Sequence, residues 1–278
     1  MTRPWWRVAI TCRDQDTDAV AAALVAATGQ GVEEPDVGVL LTVSTSEAEA
    51  LRIVAALSRQ FLQLEGAVTS LEPVDWSVKW RDGIITRTFG RLVLTPSWLP
   101  VVPVGNQVVV TLDPESAFGS GEHGSTRAAL TLLEQHLRLG DRMLDFGSGS
   151  GILAIAAAKL GATTAIGIEV DAEACPIAEA NAAKNNVTPR VTFLVGDAGE
   201  LGVLAGPAEL ICSNILRTVN TLLLPSIAEA LVPGGIAIFA GMEDAEEVLF
   251  RPVLEQHGFA VVDDIHDARW WGVAACRR

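Results

Sequence analysis

Lysine is nearly missing from this chain. Among its 278 residues only Lys79, Lys159 and Lys184 are lysines, and arginine supplies the other strongly basic side chains. Lys+Arg total 20 against 34 Asp+Glu, a formal net charge of −14. Such a surface is not built to grip a nucleic acid backbone, because that binding rests on neutralised phosphates. The acid excess is uneven, with 11 basic and 22 acidic side chains from Asp113 onward and 9 and 12 before it. It attracts a basic protein partner, or serves solubility alone. Cysteine is scarce too. Cys12, Cys175, Cys212 and Cys276 are scattered without a C-x-x-C pair. That excludes a disulfide framework and fits reduced thiols in a cytoplasmic protein. His123, His136, His257 and His266 show no metal-ligand spacing, so no metal is expected. No apolar run is long enough to span a bilayer, and the start, MTRPWWRVAITCRDQDTD, lacks the apolar core of a signal peptide.

Apolar residues, by contrast, are plentiful at 49%, enough for one large domain or two. The chain is organised around RMLDFGSGSGILAIAAAKLGATTAIGIEVD, Arg142 to Asp171. A strand through Met143 and Leu144 runs into Asp145. A turn with Gly147, Gly149 and Gly151 follows. Then come an alanine-rich helix from Ile152 to Leu160 and a strand from Thr164 to Ile168 that ends at Glu169. This unit places a nucleotide-like ligand at the carboxyl ends of parallel strands. The glycine spacing is G-x-G-x-G, and the third position of a dinucleotide fingerprint falls on Ile152. No Lys-Ser or Lys-Thr pair closes the turn, so it is not a phosphate loop. Asp145 would sit badly against a pyrophosphate and suits a ligand with positive charge, such as an amino acid moiety or a sulfonium. Glu169 can accept both hydroxyls of a ribose. Acid, glycines and second acid together fit S-adenosylmethionine; a ligand-free tight turn is the competing reading.

In chain order, residues 1–73 form a small domain. Strands are expected at Trp5 to Thr11, Gly38 to Val43 and Val68 to Glu72. Helices are expected at Thr17 to Ala27 and from Ser46, a capping residue with acids in the following turn, to Leu62. This alternation predicts a ferredoxin-like α+β domain. Residues 74–112 form a bridge with Trp76, Trp80 and Trp98 and strands at Arg91 to Thr95 and Gln107 to Leu112. Its tryptophans pack domains together or wall a substrate. Residues 113–278 form the ligand-binding domain. It opens on a glycine-rich loop around Phe118 that could fold over a ligand. Ser125 or Thr126 can cap the helix Ala128 to Leu137, and His123 is either a surface residue or a ligand contact. Beyond the central unit, Val191 to Val195 ends at Gly196-Asp197, where an acid can receive the exocyclic amine of adenine. Ala208 to Ser213 ends at Asn214, at the mouth of the crevice, where an amide could hold an incoming amine or simply make a turn. A helix from Leu222 to Leu231 stops at Pro233-Gly234-Gly235. The strand Ile236 to Ala240, a helix Asp244 to His257 and strands at Ala260 to Ile265 and Trp270 to Ala275 follow. Two closing strands without a crossover helix predict an antiparallel hairpin on the edge of a seven-stranded, mostly parallel sheet.

Three segments carry a family resemblance: LDPESAFGSGEHGSTR at 112–127, LDFGSGSGILAIAAAKLGA with AIGIEVD after it, and Asn214-Ile215-Leu216. DWSVKW at 75–80 and LTPSW add to it. On these residues the chain resembles the ribosomal protein L11 methyltransferases, α/β class I enzymes dependent on S-adenosylmethionine. The resemblance covers most of the chain and is strongest from about Asp75. It implies methylation of lysine or α-amino groups of a basic protein, by a chain compatible with a monomer. Methylation of another protein or a small molecule, or cofactor binding without catalysis, are the alternatives. It further implies that Asp145, Gly147, Gly149, Glu169 and Asp197 contact the cofactor. Thr126, Phe118 and Gly119 would approach its methionine end, and Asn214 would contact the cofactor beside the transferring methyl and also be the catalytic residue. The departures are Ser148 in place of a usual cysteine, Gly124 in place of a bulkier residue, and the drift into Arg217-Thr218-Val219-Asn220. The first domain matches loosely.

Overall fold

A computed structural model of the chain describes residues 5–71, 84–113 and 121–278. Two compact units emerge, Met1–Asp82 and Gly83–Arg278. The first runs β1 (Trp5–Thr11), α1 (Thr17–Thr28), β2 (Glu33–Asp36), β3 (Val39–Ser44), α2 (Glu47–Gln60) and β4 (Glu65–Leu71). The sheet order is β2-β3-β1-β4 and all pairings are antiparallel, the ferredoxin-like arrangement. Period-two alternation puts Val8 and Ile10 of β1 inside, against Val20 and Leu24 of α1 and Ile53 and Leu57 of α2. α2 starts as its residues dictate. Ser46 accepts a hydrogen bond from the Glu49 amide at 3.3 Å, with Glu47 and Glu49 in the first turn. β2 carries no sequence signal, because Glu-Glu-Pro-Asp is exposed at every position.

The second unit opens with three strands, β5 (Arg87–Phe89), β6 (Leu92–Thr95) and β7 (Val108–Thr111). β6 pairs in parallel with β7 and antiparallel with β5. Leu92, Leu94 and Val110 pack into this unit's own core, so these bridging strands belong to the second unit. Next come α3 (Gly124–His136), β8 (Arg142–Phe146), α4 (Ile152–Leu160), β9 (Thr164–Glu169), α5 (Ala174–Lys184), β10 (Val191–Val195) and α6 (Ala198–Ala205). The chain ends with β11 (Ala208–Asn214), α7 (Arg217–Ala230), β12 (Leu231–Glu243), α8 (Glu247–Gln256), β13 (Phe259–Asp267) and β14 (Trp270–Arg277). The seven-stranded sheet has the order β10-β9-β8-β11-β12-β14-β13. Five strands are parallel, and the closing hairpin is antiparallel, with β14 inserted beside β12 and β13 at the edge.

Alternation along the strands divides the core in two. Met143, Leu210, Cys212 and Ile238 face α3, α4 and α5, whereas Leu144, Phe146, Ile211 and Phe239 face α7 and α8. α4 is buried at eight of its nine positions, as its apolar sequence, broken only by Lys159, requires. On the other face Phe250 and Phe259 meet Phe239 edge-on at 5.3 and 6.1 Å, and Trp271 meets Phe250 at 6.4 Å. Such pairs contribute about 1 kcal/mol each beyond burial.

Three elements after β10 differ from the sequence expectation. α6 has no visible sequence signal, because two glycines in eight residues weaken its helix propensity. α7 begins at Arg217, five residues before Leu222, since its first turn is anchored by a buried asparagine. Pro233-Gly234-Gly235 does not precede β12 but forms an irregularity within it, between the pairings of Leu231 and Ile236. Among the described residues no helix is long and apolar enough to cross a membrane.

The Ser46 cap yields a simple check on the first unit. Ser46→Ala should destabilise it by about 1 kcal/mol in urea unfolding followed by tryptophan fluorescence; an unshifted midpoint would contradict the capping role.

Candidate active site

In the large sheet β9 and β10 lie on one side of β8, and β11 and β12 on the other. The order in which strands are added therefore reverses between the parallel neighbours β8 and β11, and a crevice opens outside their carboxyl ends. Each described site residue expected from the sequence lies along this edge or in the helix facing it. β8 delivers Asp145 and then the glycine turn, β9 delivers Glu169, and β10 leads to Asp197. β11 delivers Asn214 and α3 delivers Thr126. Phe118 and Gly119 lie outside the described residues, as do Trp76 and Trp80.

The turn is held by backbone bonds. The amides of Gly147 and Ser148 both donate to the Ile168 carbonyl, at 2.8 and 3.2 Å. Gly147 has φ +75°, and a Cβ there would lie 2.6 Å from Ile215 Cγ2. The Gly149 amide donates to Glu169 Oε2 at 2.9 Å, and the Asp171 amide to Oε1 at 3.0 Å. Glu169 thus ties the glycine turn to the end of β9.

Asp145 is 1% exposed. Its Oδ2 accepts the Ala154 amide of α4 at 3.2 Å, and its Oδ1 has no partner. Burial pushes its carboxyl up to about 7; the Ala154 amide opposes the shift and the Glu169 charge adds to it. Asp197 is exposed and caps α6, its Oδ1 accepting from the amides of Gly199 and Glu200 at 2.7 and 3.2 Å.

Neither Ser125 nor Thr126 caps α3. The helix begins at Gly124 with His123 as the N-cap, which places both hydroxyls inside the first turn. Thr126, fully buried, instead accepts from Asn214 Nδ2 at 3.3 Å. Ser125 Oγ pairs with His123 Nδ1 at 2.7 Å. Asn214 Oδ1 is buried without a partner.

Asn214 lines a hollow of about 350 Å³ with His123, Ser125, Ile215, Leu216 and Trp270; Gly241 completes it. The sequence does not mark Trp270 as a site residue, because nothing local distinguishes it from a core aromatic. It stands at the start of β14, its ring 4.1 Å from the His123 ring. Gly124 admits it, since a Cβ there would lie 2.6 Å from Trp270 Cδ1. The turn before it is clamped by Arg127, whose guanidinium donates to both oxygens of Asp267 at 2.6 Å and also to the Glu122 carbonyl. Burial, with the nearby charges of Arg127 and Arg269, lowers the His123 pKa below its usual value. The shift favours the neutral ring.

The orphaned atoms describe what would fit. Asp145 Oδ1, Ser148 Oγ and Asn214 Oδ1 are buried and unpartnered among the described residues. Buried polar groups without partners are costly unless a ligand satisfies them. Asn214 Oδ1 only accepts, as does Asp145 Oδ1 once ionised, so the set suits a ligand with N–H donors and positive charge.

The profile of the ribosomal protein L11 methyltransferases (PrmA) matches residues 7–278. The chain belongs to this family. It is 34% identical over 253 residues to the ribosomal protein L11 methyltransferase of Pelotomaculum thermopropionicum, covering 90% of this chain and 81% of that one. It is 37% identical over 213 residues to that of Thermus thermophilus, covering 75% and 80%. The solved structure of the ribosomal protein L11 methylase of Lactobacillus delbrueckii subsp. bulgaricus superposes with a TM-score of 0.63 at 30% identity, covering 69% of this chain and 98% of that one. The L11 methyltransferase family thus accounts for the seven-stranded sheet and its closing hairpin.

Asp145 gives a pH dependence. Its folded value, about 7, lies above the ordinary 3.8. The folded state therefore holds the proton longer than the unfolded state, and stability falls as pH rises from about 4 to about 7. The full cost above that range is on the order of 4 kcal/mol. Asp145→Asn removes the ionisation. Between about pH 5 and pH 8.5 the stability gap should move in the variant's favour by about 3 kcal/mol in denaturant unfolding. A gap independent of pH would contradict the buried, unpaired carboxyl.

Proposed function

We propose that this chain transfers a methyl group from S-adenosylmethionine to an amino group of a basic protein, with ribosomal protein L11 as the target. The observation that carries the reading is Asn214 Oδ1, a buried unpartnered acceptor on a residue that lines an aromatic and aliphatic hollow. That hollow adjoins the glycine turn through Ile215, which lines it and packs against Gly147. Bound at the turn, S-adenosylmethionine supplies a methyl group on a positively charged sulfur.

The chain's own residues do the rest. Asp145 offers its free Oδ1 to positive charge on the methionine end. Glu169, already holding two amides, has lone pairs left for the ribose hydroxyls. Asp197 spends only Oδ1 on capping α6, which leaves Oδ2 for the adenine amine. Thr126 Oγ1 accepts from Asn214 and so helps fix the amide's orientation. Asn214 Oδ1 then accepts an N–H of the incoming amine and aims its lone pair at the methyl. A lysine ammonium must lose a proton first, and its reference pKa is about 10.4. Walls of Ile215, Leu216 and Trp270 disfavour the charged form. The ammonium proton passes to solvent before attack, and alignment and desolvation are the catalytic devices.

Within this reading residues 1–73 recognise the protein substrate and 113–278 carry transfer, while the strands β5 to β7 of the 74–112 bridge pack with the transfer domain. The net charge of −14 suits a basic target. A ribosomal target and the scattered free cysteines fit action in the cytoplasm, by a monomer.

Two variants separate the roles. Asn214→Ala should lower kcat by about 100-fold and leave affinity for S-adenosylhomocysteine within about two-fold. Equal losses in both would remove Asn214 from the transfer step. Trp270→Ala should raise KM for the protein substrate by about ten-fold with cofactor affinity unchanged; an unchanged KM would take Trp270 out of the acceptor wall. For the substrate, the enzyme is incubated with methyl-labelled S-adenosylmethionine and an unmethylated cell lysate. Label on lysine or the α-amine of L11 is expected, and label confined to small metabolites would overturn the protein target.

A further inference from the structure

The segment that carries Asn214 is held by a residue that touches no substrate. Asn220 lies in the first turns of α7 and is fully buried. Its Nδ2 donates to the carbonyls of Ile215 and Ala240, both at 3.1 Å, and its Oδ1 accepts from Ser213 Oγ at 2.7 Å. Only one orientation of the amide satisfies all three bonds, since the two carbonyls require the NH2 end. Ser213 immediately precedes Asn214 and Ile215 immediately follows it. One side chain therefore grips both neighbours of Asn214 and pins them to the end of β12.

Packing leaves this segment no other place. A Cβ at Gly241, φ +82°, would lie 2.3 Å from the Ile215 carbonyl oxygen. A Cβ at Gly147 would meet the Ile215 side chain from the other side. Ile215 is thus seated between the glycine turn after β8 and the end of β12, and Asn220 fastens it there. By contrast, the Asn214 side chain itself is held weakly, by a bond of 3.3 Å to Thr126. Direction of the free Oδ1 must come chiefly from the backbone on either side.

We propose that Asn220 is a positioning residue for methyl transfer, acting through Ser213 and Ile215 to aim the Asn214 amide at the acceptor amine. This rests on the role of Asn214 proposed above. Alignment is steeply dependent on position, and a displacement of about 1 Å can cost about 100-fold in rate. Network members that act as a unit are also non-additive, which separates positioning from mere folding stability.

The test is a double-mutant cycle in the full-length enzyme, with kcat, KM for the protein substrate and affinity for S-adenosylhomocysteine measured for each variant. Asn220→Asp keeps the acceptor for Ser213 and removes the two-carbonyl donor. Alone it should lower kcat by about 30-fold with cofactor affinity nearly unchanged. In the Asn214→Ala background it should cost less than about two-fold. Ser213→Ala removes a single bond and serves if Asn220→Asp fails to fold; about three- to ten-fold is expected alone, and none in the Asn214→Ala background. Equal losses in both backgrounds would overturn the positioning role and leave Asn220 as a folding residue. Full kcat in Asn214→Ala would overturn both this proposal and the role of Asn214. Loss in Asn214→Ala with none in Asn220→Asp or Ser213→Ala would overturn this proposal alone.

Discussion

A carboxyl group buried with one hydrogen bond sits at the end of β8, which pairs with both β9 and β11. Asp145 reaches that state because β8 is flanked on both sides and α4 closes over its end. Desolvation is unfavourable for the carboxylate, and the Ala154 amide offsets only part of it. The residue therefore makes physical sense as half of an interaction completed by a cation. The glycine turn opens beside it, and Glu169 braces that turn from β9. The remaining site elements converge from the next strand across the switch.

The acceptor side is assembled from parts remote in sequence. Asn214 comes from the end of β11, His123 and Thr126 from the start of α3, and Trp270 from the closing hairpin. Each is fixed by contacts that do no chemistry. Arg127 clamps the hairpin through Asp267, Gly124 makes room for the indole, and Asn220 fastens the segment around Asn214. In the proposed reading the division of labour is electrostatic on the cofactor side, with Asp145, Glu169 and Asp197, and steric and apolar on the acceptor side. Such a division suits a reaction in which the donor arrives charged and the acceptor must be neutral.

The glycine-turn half of the candidate site is legible in the sequence because it is contiguous. Asp145, the glycines and Glu169 lie on one strand-turn-helix-strand unit, and the strands at Val191 and Ala208 are marked by their apolar runs. The ferredoxin-like unit is legible from its alternation, although β2 is hidden in an acidic, exposed tetrapeptide. The acceptor wall is not legible. The tryptophans at 76–98 are candidates for an aromatic wall, but the indole lining the described hollow is Trp270, and only β14's insertion beside β12 brings it near α3. Asn220 is equally silent, because a buried amide and a turn-forming asparagine look alike until their neighbours are known. The start of α3 misleads for a related reason. Ser125 and Thr126 have the chemistry of caps, but Ser125 pairs with the N-cap residue His123 and Thr126 with the distant Asn214.

The central claim is that one crevice between β8 and β11 holds cofactor and acceptor together. A crystal structure of the chain with S-adenosylhomocysteine tests it most directly. The ribose is expected on Glu169, the amino acid moiety over Asp145, and the sulfur turned toward the hollow lined by Asn214 and Trp270. A ligand bound with its sulfur away from Asn214, or outside the glycine turn altogether, would contradict it.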